Sequence, residues 1–210
     1  MKKNHFVLIT FLTGVSAATA DAQSFPSLKE MFLKMPESVC PALSEYNRLE
    51  LVDNQRNNKE MRTRNAYKTF STMEKLTDTY AHLTVSKSAE QTFKVLATET
   101  SSELAAKDAT PAVIMVISTV HSDSITDSSV SFYTTSWEQL PSERFFSQSL
   151  SDDFRLITMD GNSDKLTVTT FHPLTLTLDG SDRQTPALPA ATETYIWNPA
   201  TATFKYSEGK

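Results

Sequence analysis

The chain has 210 residues, a formal net charge of -5 and a hydrophobic content of 39%. That size suits one ordinary domain or two small ones. A mildly acidic chain without a long run of either sign lacks the concentrated basic surface of a nucleic-acid partner. With 4 glycines and 1 cysteine, the sequence holds no phosphate-cradling glycine loop and no internal disulfide.

The first element is read as an export signal rather than structure. "MKKNH" is a positive leader and "FVLITFLTGVSAATA" an apolar run of signal-peptide length. Two A-x-A frames end at Ala20 and Ala22; cleavage after Ala22 leaves residues 23–210 as an exported module. No later apolar run reaches membrane length, so no transmembrane span is expected in that module.

"SLKEMFLKMP" predicts a short helix. Ser27 and Glu30 have capping-box spacing, Leu28, Met31, Phe32 and Met35 form one apolar stripe, and Pro36 ends it. A second helical region is expected over residues 38–56, with Ser38 as N-cap, Pro41 in its first turn, and Tyr46, Leu49 and Val52 on one face.

From about residue 60 the period becomes two. Ser and Thr make up roughly a quarter of the chain, and Thr suits the solvated face of a strand. "MRTRNAYKTF" and "YAHLTVSKSAEQTFKVLA" read as strands with a turn at "SKSAE". "SSELAAKDATP" is a polar connector. "AVIMVISTV" reads as a central strand whose hairpin partner is "VSFYTTSW", across "HSDSITDSS". A further helix is expected in "LPSERFFSQSL", burying Phe145, Phe146 and Leu150. The last third reads as hairpins: a turn at Asp160-Gly161, alternating Leu and Thr in "KLTVTTFHPLTLTLDG" with an interruption at Pro173, a Pro-rich loop, and a turn at Asn198-Pro199. The expected fold class is α+β: short N-terminal helices followed by an antiparallel, hairpin-rich sheet. The order also admits two similar α+β halves with a boundary near residue 138, although a single continuous sheet is the preferred reading.

The residue types that carry chemistry are sparse. Cys40 has Glu37 and Glu45 beside it and no histidine nearby, so it reads as a small packed residue rather than a nucleophile. His82, His121 and His172 lie in or beside expected strands, and none pairs at ligand spacing. A histidine site would therefore have to be assembled by folding. No nucleophile elbow, calcium loop or local metal motif occurs, so no catalytic, cofactor-binding or metal-binding residue is assigned. "RNNKEMRTR" gathers Arg56, Lys59, Arg62 and Arg64, which suits either an anionic sugar or, as the preferred reading, a solvated connection. Trp197 in "TYIWNPATATFKY" is the strongest candidate for a ligand contact, since sugars stack on exposed indoles. With Tyr195, Phe204 and Tyr206 around a turn, it also fits a hairpin that covers a core, and that reading is preferred.

Two segments resemble a family of uncharacterised exported Bacteroidetes proteins, a domain of unknown function. The first is "KMPESVCPALSEYNRLELVDNQ", through Met35, Pro36, Glu37, Pro41, Leu43, Asn47, Arg48, Leu49, Glu50 and Asp53. The second is "SSVSFYTTSWEQL", through Ser128, Phe132, Tyr133 and Trp137. The resemblance implies an apolar residue in the place of Cys40. It also implies a location, the periplasm or cell surface of a Gram-negative bacterium, and no assigned activity. Asp123-Ser124-Ile125 is similar to the pattern at which Bacteroidetes O-glycosylate exported proteins, which makes Ser124 a candidate glycan site. The resulting expectation is a non-catalytic envelope module, without cofactor, that binds a protein or glycan partner. The alternative is a hydrolase whose site forms around a histidine only in three dimensions.

Overall fold

A computed structural model describes residues 25–99, 111–122, 126–146, 150, 153–171 and 189–207. The signal segment, the polar connector before residue 111, Ser124, His172 and the Pro-rich loop lie outside the described residues.

Helix α1 spans Leu28–Leu33 and α2 spans Glu45–Arg56. Ser27 and Glu30 close the capping box on α1, and Leu28, Met31, Phe32 and Met35 are all buried. The start of α2 differs from expectation. Its N-cap is Ser44, not Ser38: Ser44 N donates to Asn47 Oδ1 (3.1 Å), and Asn47 N donates to Ser44 Oγ (3.3 Å). Pro41 stands in the turns before the helix.

The buried face of α2 also differs. Asn47, Arg48, Leu51 and Val52 point inward, while Tyr46 and Leu49 are exposed. Polar pegs dock this helix. Asn47 Nδ2 donates to Thr63 Oγ1 (2.9 Å) and to the Arg64 carbonyl (3.0 Å). Glu50 accepts from Thr63 Oγ1, and Gln55 Nε2 donates to the Leu76 carbonyl (2.7 Å). Arg48 Nη1 donates to the Leu43 carbonyl (2.7 Å) and so closes the turn that enters the helix. An apolar periodicity cannot reveal a face built from hydrogen bonds.

Seven strands then form an antiparallel meander in chain order: β1 (Arg62–Arg64), β2 (Phe70–Leu76), β3 (Tyr80–Ser86), β4 (Ala89–Ala97), β5 (Ala112–His121), β6 (Thr126–Tyr133) and β7 (Gln139–Leu140). "MRTRNAYKTF", expected as one strand, is two strand ends joined by a turn. The expected β5–β6 hairpin is present, with Val116 opposite Ser131. A second antiparallel sheet holds β8 (Arg155–Met159), β9 (Lys165–Phe171), β10 (Pro189–Asn198) and β11 (Thr203–Tyr206), ordered β11-β10-β9-β8. The expectation of one continuous sheet is therefore corrected to two.

The reason lies in β5. Ala112, Ile114 and Val116 face the helices in one core, while Val113, Met115 and Ile117 face the second sheet in another. A strand apolar on both faces needs a layer on each side. The molecule is thus three layers: helices, large sheet, small sheet.

The expected helix in "LPSERFFSQSL" is instead a single 3₁₀ turn, Ser142–Arg144. Its N-cap, Pro141, makes no side-chain cap. Phe145 stacks on Phe132 (centroids 4.1 Å apart) and Phe146 stacks on Phe204 (5.4 Å). An irregular backbone lets neighbouring rings both enter the inter-sheet core, which a helix would send about 100° apart.

Candidate functional site

The small sheet covers only part of the large one. Its core partners there are Leu96, Val113, Met115, Ile117 and Phe132, all on β4 to β6. On the same face, β1, β2 and β3 present Arg62, Phe70, Thr72 and Thr84 to a surface groove of about 670 Å³, joined by Glu60, Tyr67, Thr69, Ser86, Lys87 and Ser88. That volume falls within the range of about 300–1,000 Å³ common for small-ligand sites.

Local structure fixes this groove. Asn65, 5% exposed, organises the turn between β1 and β2. Its Oδ1 accepts from Tyr67 N (3.0 Å) and Thr69 N (3.1 Å), and its Nδ2 donates to Ser71 Oγ and the Val85 carbonyl, both at 3.0 Å. Asn side chains close such turns by bonding backbone two residues on. The turn holds Tyr67 out in solvent, 62% exposed, beside Phe70, 52% exposed. The Arg62 guanidinium lies 4.0 Å above the Phe70 ring. Stacking in this way orients a guanidinium while leaving its N–H fork free to bind. Among the described residues neither Arg62 nor Lys87 has a carboxylate within 4.0 Å.

Of the other cations singled out in the sequence, Arg56 pairs with Asp53 on α2 (3.1 Å), and neither Lys59 nor Arg64 lines the groove. Tyr67, Phe70 and Lys87 were missed at the sequence level. The available signal was the Asn65 turn, hidden by reading the segment as one strand.

Of His82, His121 and His172, folding brings the first two to one carboxylate. On the face that also carries the groove, Glu90 Oε2 lies 3.7 Å from His82 Nε2, and Glu90 Oε1 lies 3.6 Å from His121 Nε2. The other ring nitrogens are hydrogen-bonded to threonines: His82 Nδ1 to Thr92 Oγ1 (3.0 Å) and His121 Nδ1 to Thr126 Oγ1 (3.2 Å). A Thr-His-Glu-His-Thr chain thus crosses β3 to β6. It lies flat on the sheet and lines none of the groove. Among the described residues, no group of three or more His, Cys, Asp or Glu is placed to hold a metal ion.

The remaining candidates are internal. Cys40 is 1% exposed, and burial pushes its thiol up to about 11, the opposite of an activated nucleophile. Trp197 is 4% exposed, with its ring against Phe204 and its Nε1 donating to the Ala97 carbonyl (2.8 Å). It therefore offers no ring face to a ligand; that opportunity belongs to Tyr67, since the Arg62 guanidinium lies over Phe70. Trp137, at φ 67°, donates from Nε1 to the Met31 carbonyl (2.8 Å) and ties α1 to the large sheet.

Comparison with known proteins places this geometry in a family without an assigned role. A family model described as "Protein of unknown function (DUF3256)" matches residues 19–181. No curated protein matches the chain. A solved structure, a domain of an uncharacterized protein from Porphyromonas gingivalis W83, shares the fold: 22% identity and a TM-score of 0.63, covering 86% of this chain and 97% of that one.

Proposed function

The chain belongs to the DUF3256 family of proteins of unknown function, and from that premise we propose that it is an exported, non-catalytic module that binds a protein or glycan partner in the cell envelope. The observation that carries this reading is the groove, where Tyr67 on a hydrogen-bonded turn and Phe70 at the start of β2 both stand exposed. Exposed rings held rigid give contact area with little ordering cost on binding. The lysine-bearing apolar leader and the A-x-A frames support export.

The test is co-sedimentation of the purified chain with a washed envelope fraction. The parent should be retained. The Tyr67→Ala/Phe70→Ala double variant should melt like the parent and stay in the supernatant. Equal retention of both proteins would remove the groove from the function.

A hydrolase is the second reading, and its specific support is the Thr92-His82-Glu90-His121-Thr126 chain. That chain lines none of the groove, so we place it second. Release of soluble fragments from the envelope fraction by the parent, lost in His82→Ala or His121→Ala, would reverse the order.

A further inference from the structure

We infer that the groove takes an acidic glycan, a polysaccharide segment bearing sulfate or uronate groups; this rests on the binding-module reading and names its ligand class. Three observations converge. Arg62 and Lys87 border the groove without a carboxylate partner among the described residues, although the chain as a whole carries a net charge of -5. Two cations against one carboxylate give the groove lining a positive balance on an otherwise acidic protein, which favours an anionic occupant. Of the acids on this face, Glu74 accepts from Thr84 Oγ1 (3.2 Å) and Glu90 is flanked by two histidines, which leaves Glu60 as the single carboxylate in the lining.

The second observation is the exposed Tyr67 ring, which can pack against the apolar face of a sugar while Arg62, seated on the Phe70 ring, and Lys87 meet its anions. The third is the row of hydroxyls on Thr69, Thr72, Thr84, Ser86 and Ser88, suited to sugar hydroxyls. A guanidinium oriented on a ring presents parallel N–H groups that match a sulfate or carboxylate edge.

A peptide strand added at this edge fits less well. β1 is three residues long with Arg62 and Arg64 in it, and short, charged edges are a common guard against strand addition.

The experiment measures binding of the purified chain to heparin, desulfated heparin, polygalacturonate and dextran, at low and high salt. Acidic polymers should bind, with affinity falling as salt rises, and dextran should bind at least about tenfold more weakly. Heparin against its desulfated form decides between sulfate and uronate. Arg62→Ala and Lys87→Ala should each weaken the acidic ligand about tenfold. Tyr67→Ala should weaken it comparably without changing the salt dependence. Arg56→Ala, outside the groove and ion-paired, should bind like the parent, and all variants should melt like the parent. Loss in Arg56→Ala as large as in Arg62→Ala would reduce the effect to bulk charge and overturn the proposal. Equal binding to dextran would overturn it too. So would envelope retention that depends on Tyr67 but is abolished by protease, or undiminished by competing acidic polymer; there the binding reading survives and the ligand class falls. Absence of envelope retention and of glycan binding removes both.

Discussion

Cys40 illustrates how residue-scale physics separates chemistry from packing. Its thiol is desolvated, and the weaker influences of the Ala42 and Leu43 backbone and of Arg48 lower its pKa without offsetting that burial. The folded-state pKa of about 11 lies above the 9.0 of an open chain. The neutral thiol is therefore the form the fold favours. Its contribution to stability is complete below pH 9.0 and is lost as pH rises through 11. Native protein at pH 8 should react with an alkylating reagent only after unfolding; rapid modification of the folded chain would contradict this. Cys40→Ala should cost roughly 1–2 kcal/mol by removing a small buried group, with groove binding intact. Loss of binding in a folded variant would give the thiol a role beyond packing. Asn47, Arg48 and Glu50 make the same point from the polar side. They are the residues of the first family-like segment, and each spends its side chain on holding α2 to the turn before it or to β1.

At the scale of elements, the C-terminal hairpin is a lid on the inter-sheet core. Tyr195 pairs with Tyr206 and Trp197 with Phe204 across β10 and β11. Asn198 Oδ1 caps the turn by accepting from Ala200 N (3.0 Å). Burial, helped by Glu193, pushes the Tyr195 phenol up to about 12. Trp197→Ala removes the largest ring and orphans the Ala97 carbonyl. It should cost about 3–5 kcal/mol and lower the melting temperature by on the order of 10 °C. A calorimetric scan that superimposes on the parent would show that the hairpin does not hold the sheets together. By contrast, α2 gains little from apolar periodicity and much from its pegs, so its exposed Tyr46 and Leu49 can change at little cost to the fold.

The whole molecule depends on registering two sheets over one shared strand. A latch at the β8–β9 turn contributes. Lys94, 5% exposed, donates from Nζ to the Gly161 carbonyl (3.2 Å) and lies 3.4 Å from Asp164 Oδ1. Gly161 sits against Tyr80, where an added Cβ would come within 2.9 Å of the ring. Gly161→Ala should force the turn off the large sheet, costing about 1–3 kcal/mol by overpacking. Hydrogen exchange should quicken in β8 and β9 before β2 to β5. Unchanged exchange throughout would mean that Tyr80 swings aside and that the latch is soft. The strands of the small sheet pack on β4 to β6 and its β8–β9 turn reaches β3 only at Tyr80, which leaves the groove open at the other end of β1 to β3.

Much of this architecture was legible in sequence because its signals are local. The Ser27 capping box, the α1 stripe, the turns at Asp160-Gly161 and Asn198-Pro199, and the β5–β6 hairpin each depend on residues a few positions apart. So does the core role of Trp197, since alternation around a turn already places its ring with Phe204. The rest was decided by tertiary contact. The division into two sheets follows from β5 being apolar on both faces, one covered by the helices and the other by the small sheet, and periodicity cannot state which layer covers which face. The buried face of α2 follows from hydrogen bonds to β1, and the loss of the third helix from the room for Phe145 and Phe146 between the sheets. The approach of His82 and His121 to Glu90, and the groove of Arg62, Tyr67, Phe70 and Lys87, arise only in register, because strands bring together side chains that the sequence holds apart.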